Sequence, residues 1–440
     1  MHYPRRLLGL ALLSLGSLSA APIQYPEAEI PELNSLLEKA RENAPALVAQ
    51  SLAQKESVAR LEAAEGKYYP RVDVGFNSGI TKTMYMTGDT PAKQNMGLGF
   101  NASITRPLYN WGALDAAIEQ ARLDFKNEEL QRVFILRQMK RTLRADYLTL
   151  LVNQESLVTL RLRRQQIQDG ITRTQTDKEQ GTASDIAIEQ ANLDLSQSLV
   201  DIDLVEAQQR RILVNFKLNL GWDAPLALNV PVPNPDAAAV IAWADQNQSL
   251  RDDAWLQDSS EVMRRQNFVA RERLELIKVK AAQRPNFNFT AATWQSQTNT
   301  SSADSVQTLS YFVGVSMAWN VFDGSSNSAK KREVLLRQRR LDAQLVAFRD
   351  ELRLQCATVV AMIGFSARQL QIDQRRAELA TQKFAVQERD AKEGRISQQE
   401  LRSKQVVHNE AQQTVSRTRV RLLLAINDYL DLTLPAAVNL

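Results

Sequence analysis

Cysteine and histidine are nearly missing from this chain. Its 440 residues hold one Cys, Cys356, and two His, His2 and His408. A single cysteine forms no intrachain disulfide, and these numbers are too small for a Cys/His metal site within one chain. A Ser-His-Asp triad would have to use His408, which lies in a charged helical stretch. Acidic pairs such as Asp252-Asp253 sit among helix-surface charges with no His or Cys beside them, so a hydrolase has no inventory to draw on. Glycine and proline are also scarce, at 16 and 14. Long uninterrupted elements follow. Beyond the first residues there is no apolar run of the roughly 18 residues that a transmembrane helix needs. Charge of one sign is lacking too: 54 Lys and Arg face 50 Asp and Glu, interspersed and without a basic tract. Nucleic acid is therefore not an expected partner.

What is present begins with an export signal over residues 1–21. Arg5 and Arg6 open it, Leu7 to Leu18 form a short apolar core, and Ser19-Ala20-Ala21 supply small residues for cleavage. Losing it lowers the formal charge from +4 to +2. An exported chain without a membrane helix is soluble in the periplasm, secreted, or inserted as a β-barrel.

The dominant pattern is an internal repeat, with an offset of 213 residues over most of its length. Ser103-Ile104-Thr105-Arg106-Pro107-Leu108-Tyr109-Asn110 matches Ser316-Met317-Ala318-Trp319-Asn320-Val321-Phe322-Asp323, and Gly181 matches Gly394. The first repeat spans 22–221 and the second 237–434. A Pro-rich connector, 222–236, separates them and a short end, 435–440, follows. Each copy reads helix, strand, turn, strand, very long helix, tight break, helix.

Strands are expected near 68–80, 95–107, 285–296 and 308–320. Met96, Leu98, Phe100, Ala102 and Ile104 alternate with Gly97, Gly99, Asn101, Ser103 and Thr105, giving one apolar and one small polar face. Tyr311, Val313, Val315, Met317 and Trp319 do the same in the fourth. Each strand covers about ten residues, the length of a tilted membrane strand. Four strands close no conducting barrel, for which about eight is the common minimum, so several chains must share one.

Long helices are expected over 111–180 and 324–393, each about 100 Å at the rise of an α-helix, followed by helices over 182–220 and 396–432. Ile135, Met139, Leu143, Tyr147 and Leu150 recur in steps of three and four. So do Leu345, Phe348, Leu352, Cys356, Val359 and Ile363. Cys356 falls on Leu143 in the repeat and reads as a packing residue.

The chain resembles the TolC-like outer-membrane efflux protein family across essentially its whole mature length. The resemblance is carried by Asn43-Ala44-Pro45 with Pro70, by the strand-to-helix turn Pro107-Leu108-Tyr109-Asn110-Trp111-Gly112, by its second copy Asn320-Val321-Phe322-Asp323-Gly324, and by the breaks at Gly181 and Gly394. It implies a mainly helical fold with membrane β-structure. Four strands from each chain of a homotrimer would form one twelve-stranded barrel in outer-membrane lipid, continued through the periplasm by an α-barrel. It further implies a passive exit duct without cofactor, metal or catalysis in a Gram-negative outer membrane. That duct would be served by a periplasmic adaptor (membrane fusion) protein and an inner-membrane transporter, in a tripartite efflux pump or type I secretion system. A soluble periplasmic coiled-coil structural or adaptor protein is the alternative.

At the tips, Gly181 and Gly394 would reverse the chain through positive φ. The charges around them, including Asp185, Asp390, Arg395 and Glu400, would become rings of three in a trimer. Arg395 lies within reach of Asp390 or Glu400, and these residues are the gate candidates. Acidic residues are usual six and nine positions after the second tip Gly in this family; here Glu400 and Ser403 stand there.

Overall fold

The computed structural model describes residues 23–83, 93–247 apart from 224, 227 and 229, 254–299, and 305–435. The expected export signal, the tips of both strand-to-strand loops and residues 436–440 lie outside these. Helix α1 (Pro31–Asn43) and helix α2 (Pro45–Glu65) each start on proline, which has no backbone N–H to lose there. Ala44 between them is extended, at φ −60° and ψ 126°, because the residue before proline is kept out of the helical region. The helix expected ahead of the first strand is thus two helices.

Strands β1 (Arg71–Thr83) and β2 (Lys93–Tyr109) lead into helix α3 (Ala113–Glu179) and helix α4 (Asp185–Leu220). After the connector come α5 (Ala237–Gln246), α6 (Ala254–Gln257) and α7 (Ser260–Ala281). Strands β3 (Asn286–Asn299) and β4 (Ser305–Ala318) precede α8 (Ser326–Lys392) and α9 (Gln398–Thr433). Helices α3 and α8 have 67 residues each, and α4 and α9 have 36 each. All four pairs of boundaries keep the 213-residue spacing.

The strands are longer than the alternation suggests, at 13, 17, 14 and 14 residues. Ladder hydrogen bonds continue past the apolar stretch, because backbone pairing needs no greasy face. Trp319 falls just outside β4, and its indole N–H donates to the Gln283 carbonyl at 3.1 Å.

All four strands form one antiparallel sheet in the order β1-β2-β3-β4. The central pair, β2 with β3, joins the two halves through partners such as Ser103 and Ala292. The long helices form a row below it. Near the sheet the row is α2-α3-α7-α8, and farther away it is α4-α3-α9-α8.

The core sits at mid-height. Leu143, Tyr147, Leu148, Phe216 and Leu220 are fully buried there with Leu33 and Leu37 of α1. A second cluster joins α5 to α8 and α9 through Val240, Ile363, Leu370 and Leu422. Helix α5 lies close against α8 here: a Cβ on Gly364 would meet the Ala244 methyl at 3.4 Å, an ordinary van der Waals contact. Cys356 is fully buried, and burial pushes its thiol up to about 11.

Beside this core, Arg144 is 3% exposed and bonds Glu27 at 2.5 and 2.9 Å, Asn427 at 2.7 Å and Asp431 at 3.5 Å. Its guanidinium lies 3.9 Å over the Tyr25 ring, whose hydroxyl donates to Asp431 at 2.9 Å. Burial raises the Asp431 carboxyl above the ordinary carboxylate range, against the pull of Arg144. The segment that carries Tyr25 and Glu27 is thereby tied to α3 and α9.

Candidate functional site: two-faced sheet, turns and helix tips

The alternation in β1 and β2 becomes a sheet with two unlike faces. Val72, Val74, Phe76 and Ile80 of β1 share one face with Phe100 and Ile104 of β2 and with Leu309, Tyr311, Val313, Val315 and Met317 of β4. All these side chains are exposed, with Phe76 at 72% and Tyr311 at 79%. The other face carries Asp73, Asn77, Asn101, Ser103, Thr290, Ser310 and Ser316, with Trp294 and Phe312 among them.

Glycine on that polar face makes room for asparagine. A Cβ on Gly75 would come within 2.5 Å of the Asn101 side-chain oxygen, and one on Gly99 would collide with the Asn77 side-chain oxygen. Each strand thus lays an Asn over a Gly of its neighbour. Thr290 and Ser316 hydroxyls meet at 2.9 Å on the same face. Strands β1 and β4 are paired on one side only, so both edges of the sheet offer free ladder groups.

The strand-to-helix turns use the expected residues unequally. In the first, Trp111 (φ 57°) and Gly112 (φ 78°) are both left-handed, and Asn110 accepts through its side chain from the Leu114 N–H at 3.3 Å. Pro107 marks a register irregularity in the β2–β3 ladder. The second turn repeats the geometry at Gly324 (φ 65°) and Ser325 (φ 69°), with the Asp323 carboxylate accepting from the Asn327 N–H at 2.8 Å. The cap positions themselves are Gly112 and Ser325, without side-chain bonds, so Asn110 and Asp323, two residues upstream, satisfy one first-turn N–H each. Asn320 is exposed and precedes the turn. The Trp111 indole N–H donates to the Pro285 carbonyl at 2.8 Å and fixes the first turn to the other half.

At the far end, Gly181 (φ 78°) and Gly394 (φ 75°) turn the chain back. The Thr182 N–H closes on the Asp177 carbonyl at 2.8 Å and the Arg395 N–H on the Asp390 carbonyl at 2.8 Å, the bonding of helix ends with a left-handed residue. Ser184 and Ser397 cap the returning helices.

The tip charges pair locally. Lys178 meets Asp185 in the first tip, and Arg395 meets Asp390 at 3.2 Å and Glu393 at 2.6 Å in the second. Of the two expected partners, Arg395 takes Asp390 and not Glu400. The latter stands three residues after Ser397, whose hydroxyl accepts from its N–H at 3.1 Å, so Glu400 is an acid in the first turn of α9. One tip contact escapes the sequence pattern: Arg402 of α9 binds Asp169 of α3 and locks one helical hairpin to the other. The repeat offset offers no hint of it, because it joins unlike positions of the two copies.

Among the described residues no cluster of His, Cys, Asp and Glu fits a metal, and no helix is long and apolar enough to cross a membrane. Two open clefts of about 700 and 730 Å³ lie on the surface among the described residues, one beside the first strand-to-helix turn and one between α1, α2 and α3. One of about 240 Å³ lies among α3, α7, α8 and α9, where Arg141 and Asp428 of its wall pair at 2.8 Å.

Comparison with known proteins gives one family match, over part of the chain, and one fold. Residues 36–221 match the family model described as outer membrane efflux protein. No curated protein matches the chain. Among solved structures, it is similar to the Campylobacter jejuni CmeC outer membrane channel, at 12% identity and a TM-score of 0.72, over 98% of this chain and 93% of that one. The open state of the Neisseria gonorrhoeae MtrE outer membrane channel aligns at 12% identity and a TM-score of 0.64, covering 98% and 97%. The Vibrio cholerae outer membrane protein VceC gives 12% identity and a TM-score of 0.64, covering 93% and 98%.

Proposed function

We propose that this chain, whose residues 36–221 match the outer membrane efflux protein family, is a TolC-like channel protein and that three copies build one continuous duct from periplasm to exterior. The observation that carries the reading is the sheet. Its apolar face is exposed, its opposite face is lined with Asn, Ser and Thr, and both its edges are unpaired. In lipid an open edge leaves backbone groups unsatisfied at a cost of several kcal/mol each, by rough transfer estimates. Twelve strands from three chains would remove every edge and leave a pore of porin type between the smallest and the largest barrels. The Asn-over-Gly face would then line the water and the Val/Phe/Tyr face would meet lipid. The helical row would continue the wall into the periplasm.

The conduit performs no chemistry. It passes cargo delivered by a periplasmic adaptor and an inner-membrane transporter, in a tripartite pump or type I secretion system, and selection falls to those partners. The two halves of the chain derive from one duplicated unit. The tip, with Gly181, Asp185, Asp390, Gly394, Arg395 and Glu400, is the gate. Arg395 held on Asp390 and Glu393, with Arg402 on Asp169, keeps the helices gathered until an adaptor competes for these contacts.

Light scattering on the detergent-solubilised protein tests the assembly, and a planar bilayer tests the pore. A particle of three chains with stable ion conductance is expected. A monomer that leaves the membrane in a salt wash would restore the soluble coiled-coil reading.

A further inference from the structure

The polar face of the sheet is not polar throughout. Among its Asn, Ser and Thr side chains it carries two aromatic rings, Trp294 of β3 and Phe312 of β4. Both are open to solvent, at 46% and 43%. Trp294 stands opposite Asn101 on one side and Ser310 on the other, and Phe312 stands opposite Ala292. The two rings are thus one diagonal step apart across the β3–β4 pair, a step that aromatic side chains span. The Phe312 ring leans along its own strand into the space that Gly314 leaves, where a Cβ would meet it at 3.0 Å. The first hairpin has neither ring. Pairing sets Gly99 against Asn77 as it sets Phe312 against Ala292, and sets Gly79 against Gly97 as it sets Trp294 against Ser310. Glycines therefore hold both places in the first half. Asn101 in turn stands where β4 has Gly314, so bulk and space are exchanged along the strand. The positions next to the rings on this face are Asn101, Ala292, Ser296, Ser310 and Gly314, all uncharged.

We propose that Trp294 and Phe312 form a contact site for flat aromatic cations inside the barrel. The faces of both rings are negative, and a second ring stacks on them at an offset. A cation within about 6 Å of such a face is attracted, most strongly by Trp. No neighbouring cation on this face competes for the rings. The Asn101 amide and the Ser310 hydroxyl offer hydrogen bonds to the polar edge of a ligand lying on Trp294. In the closed ring this face meets water and not lipid, so the occupant is a solute of the lumen. Three such sites would alternate around the barrel with three hairpins where Gly79 and Gly99 leave room. A contact of this strength holds a solute without trapping it, which conduction requires. The site slows one class of cargo and excludes none, so selection stays with the pump. This inference rests on the conduit reading and adds to it a cargo chemistry and the residues that meet it.

Single-channel recording of the full chain in a planar bilayer tests it. N-methylquinolinium is added on the side of the strand-to-strand loops, which the helix tips do not guard. The parent channel should be blocked in proportion to the probe concentration. Trp294→Ser and Phe312→Ser should each raise the half-blocking concentration, by on the order of ten-fold for Trp294 and by less for Phe312. Trp294→Tyr keeps an aromatic face and should retain most of the block. Tyr311→Ser, on the apolar face, should leave it unchanged. Sucrose, uncharged and without an aromatic ring, should block none of these channels. An unblocked parent, a block that survives both Ser variants, or an equal block by sucrose would overturn the site and leave the conduit standing. A block lost as fully in Trp294→Tyr as in Trp294→Ser would trace the loss to a disturbed barrel and overturn the aromatic contact. A parent that conducts no ions would remove the conduit and the site together.

Discussion

The middle of the helical row and its tips are made of the same helices, yet they are held by different forces. At mid-height, Leu143, Tyr147, Phe216 and Leu370 are sealed from solvent, and even a guanidinium, Arg144, is enclosed. Toward the tips the burial stops. No residue between Thr159 and Ser198 is buried in the first hairpin, and none between Ala377 and Val406 in the second. What holds the tips within one chain is backbone capping, ion pairs such as Arg402 with Asp169, and half-buried contacts such as the Phe384–His408 stack. Apolar burial stabilises by about 25 cal/mol per Å² regardless of salt, while exposed pairs contribute about 0–1 kcal/mol and weaken as salt rises.

The sharpest way to break the contrast is at Arg144. Replacing it with Ala strands Glu27 and Asp431 in a buried setting, and removing one partner of a buried pair costs about 3–5 kcal/mol. Arg144→Ala should show the largest drop in melting temperature of any variant here, read by far-UV circular dichroism in detergent. A drop no larger than that of a tip variant would mean that the N-terminal tie contributes nothing to the core.

Two glycines with the same backbone conformation sharpen the comparison. Gly221 ends α4 at φ 86°, and a Cβ on it would collide with the Asn43 carbonyl oxygen at the α1–α2 break. Gly394 turns the second tip at φ 75° with nothing within 4 Å of a built Cβ. An alanine carries the left-handed penalty of about 1–2 kcal/mol at either site. Overpacking adds about 1–3 kcal/mol at Gly221 alone. Gly221→Ala should therefore melt clearly below Gly394→Ala in the same assay. Equal losses would show that the tip is packed as tightly as the middle.

Much of this contrast could be read from sequence. The two-faced strands, the 67-residue helices and the glycine breaks follow from local periodicity, since alternation and steps of three and four are printed along the chain. Partners distant in sequence could not be read that way. Arg144 finds Glu27 and Asp431, 117 and 287 positions away, and the pattern around it is that of any charged helix residue. The Asn-over-Gly pairs needed the strand register. Arg395 was within reach of both Asp390 and Glu400, and the left-handed turn at Gly394, which closes the Arg395 N–H on the Asp390 carbonyl, brings it to Asp390. The break at Ala44 was written in Pro45 but was read as a family mark and not as a helix end.

The smallest expected change in stability concerns Arg395, and it carries the most information about the tips. Its side chain is 69% exposed, and its guanidinium joins Asp390 and Glu393 across the turn. Exposed pairs of this kind are worth under about 1 kcal/mol, so Arg395→Ala should leave the melting temperature nearly unchanged. Conductance is another matter. In a closed ring of three chains the substitution removes three cations from one mouth and frees the Asp390 and Glu393 carboxylates beside it. Cation selectivity should rise at low salt, because unpaired acidic rings concentrate cations, and the rise should fade as the Debye length shrinks from about 10 Å at 0.1 M toward about 3 Å at 1 M. Glu400→Ala removes an acid that does not hold Arg395, so it should shift selectivity the opposite way. Single-channel recordings across a salt series in a planar bilayer separate the two. If both variants match the parent at every salt concentration, the tip charges face away from the path of the ions, and the narrowest point of the duct must be sought among uncharged residues.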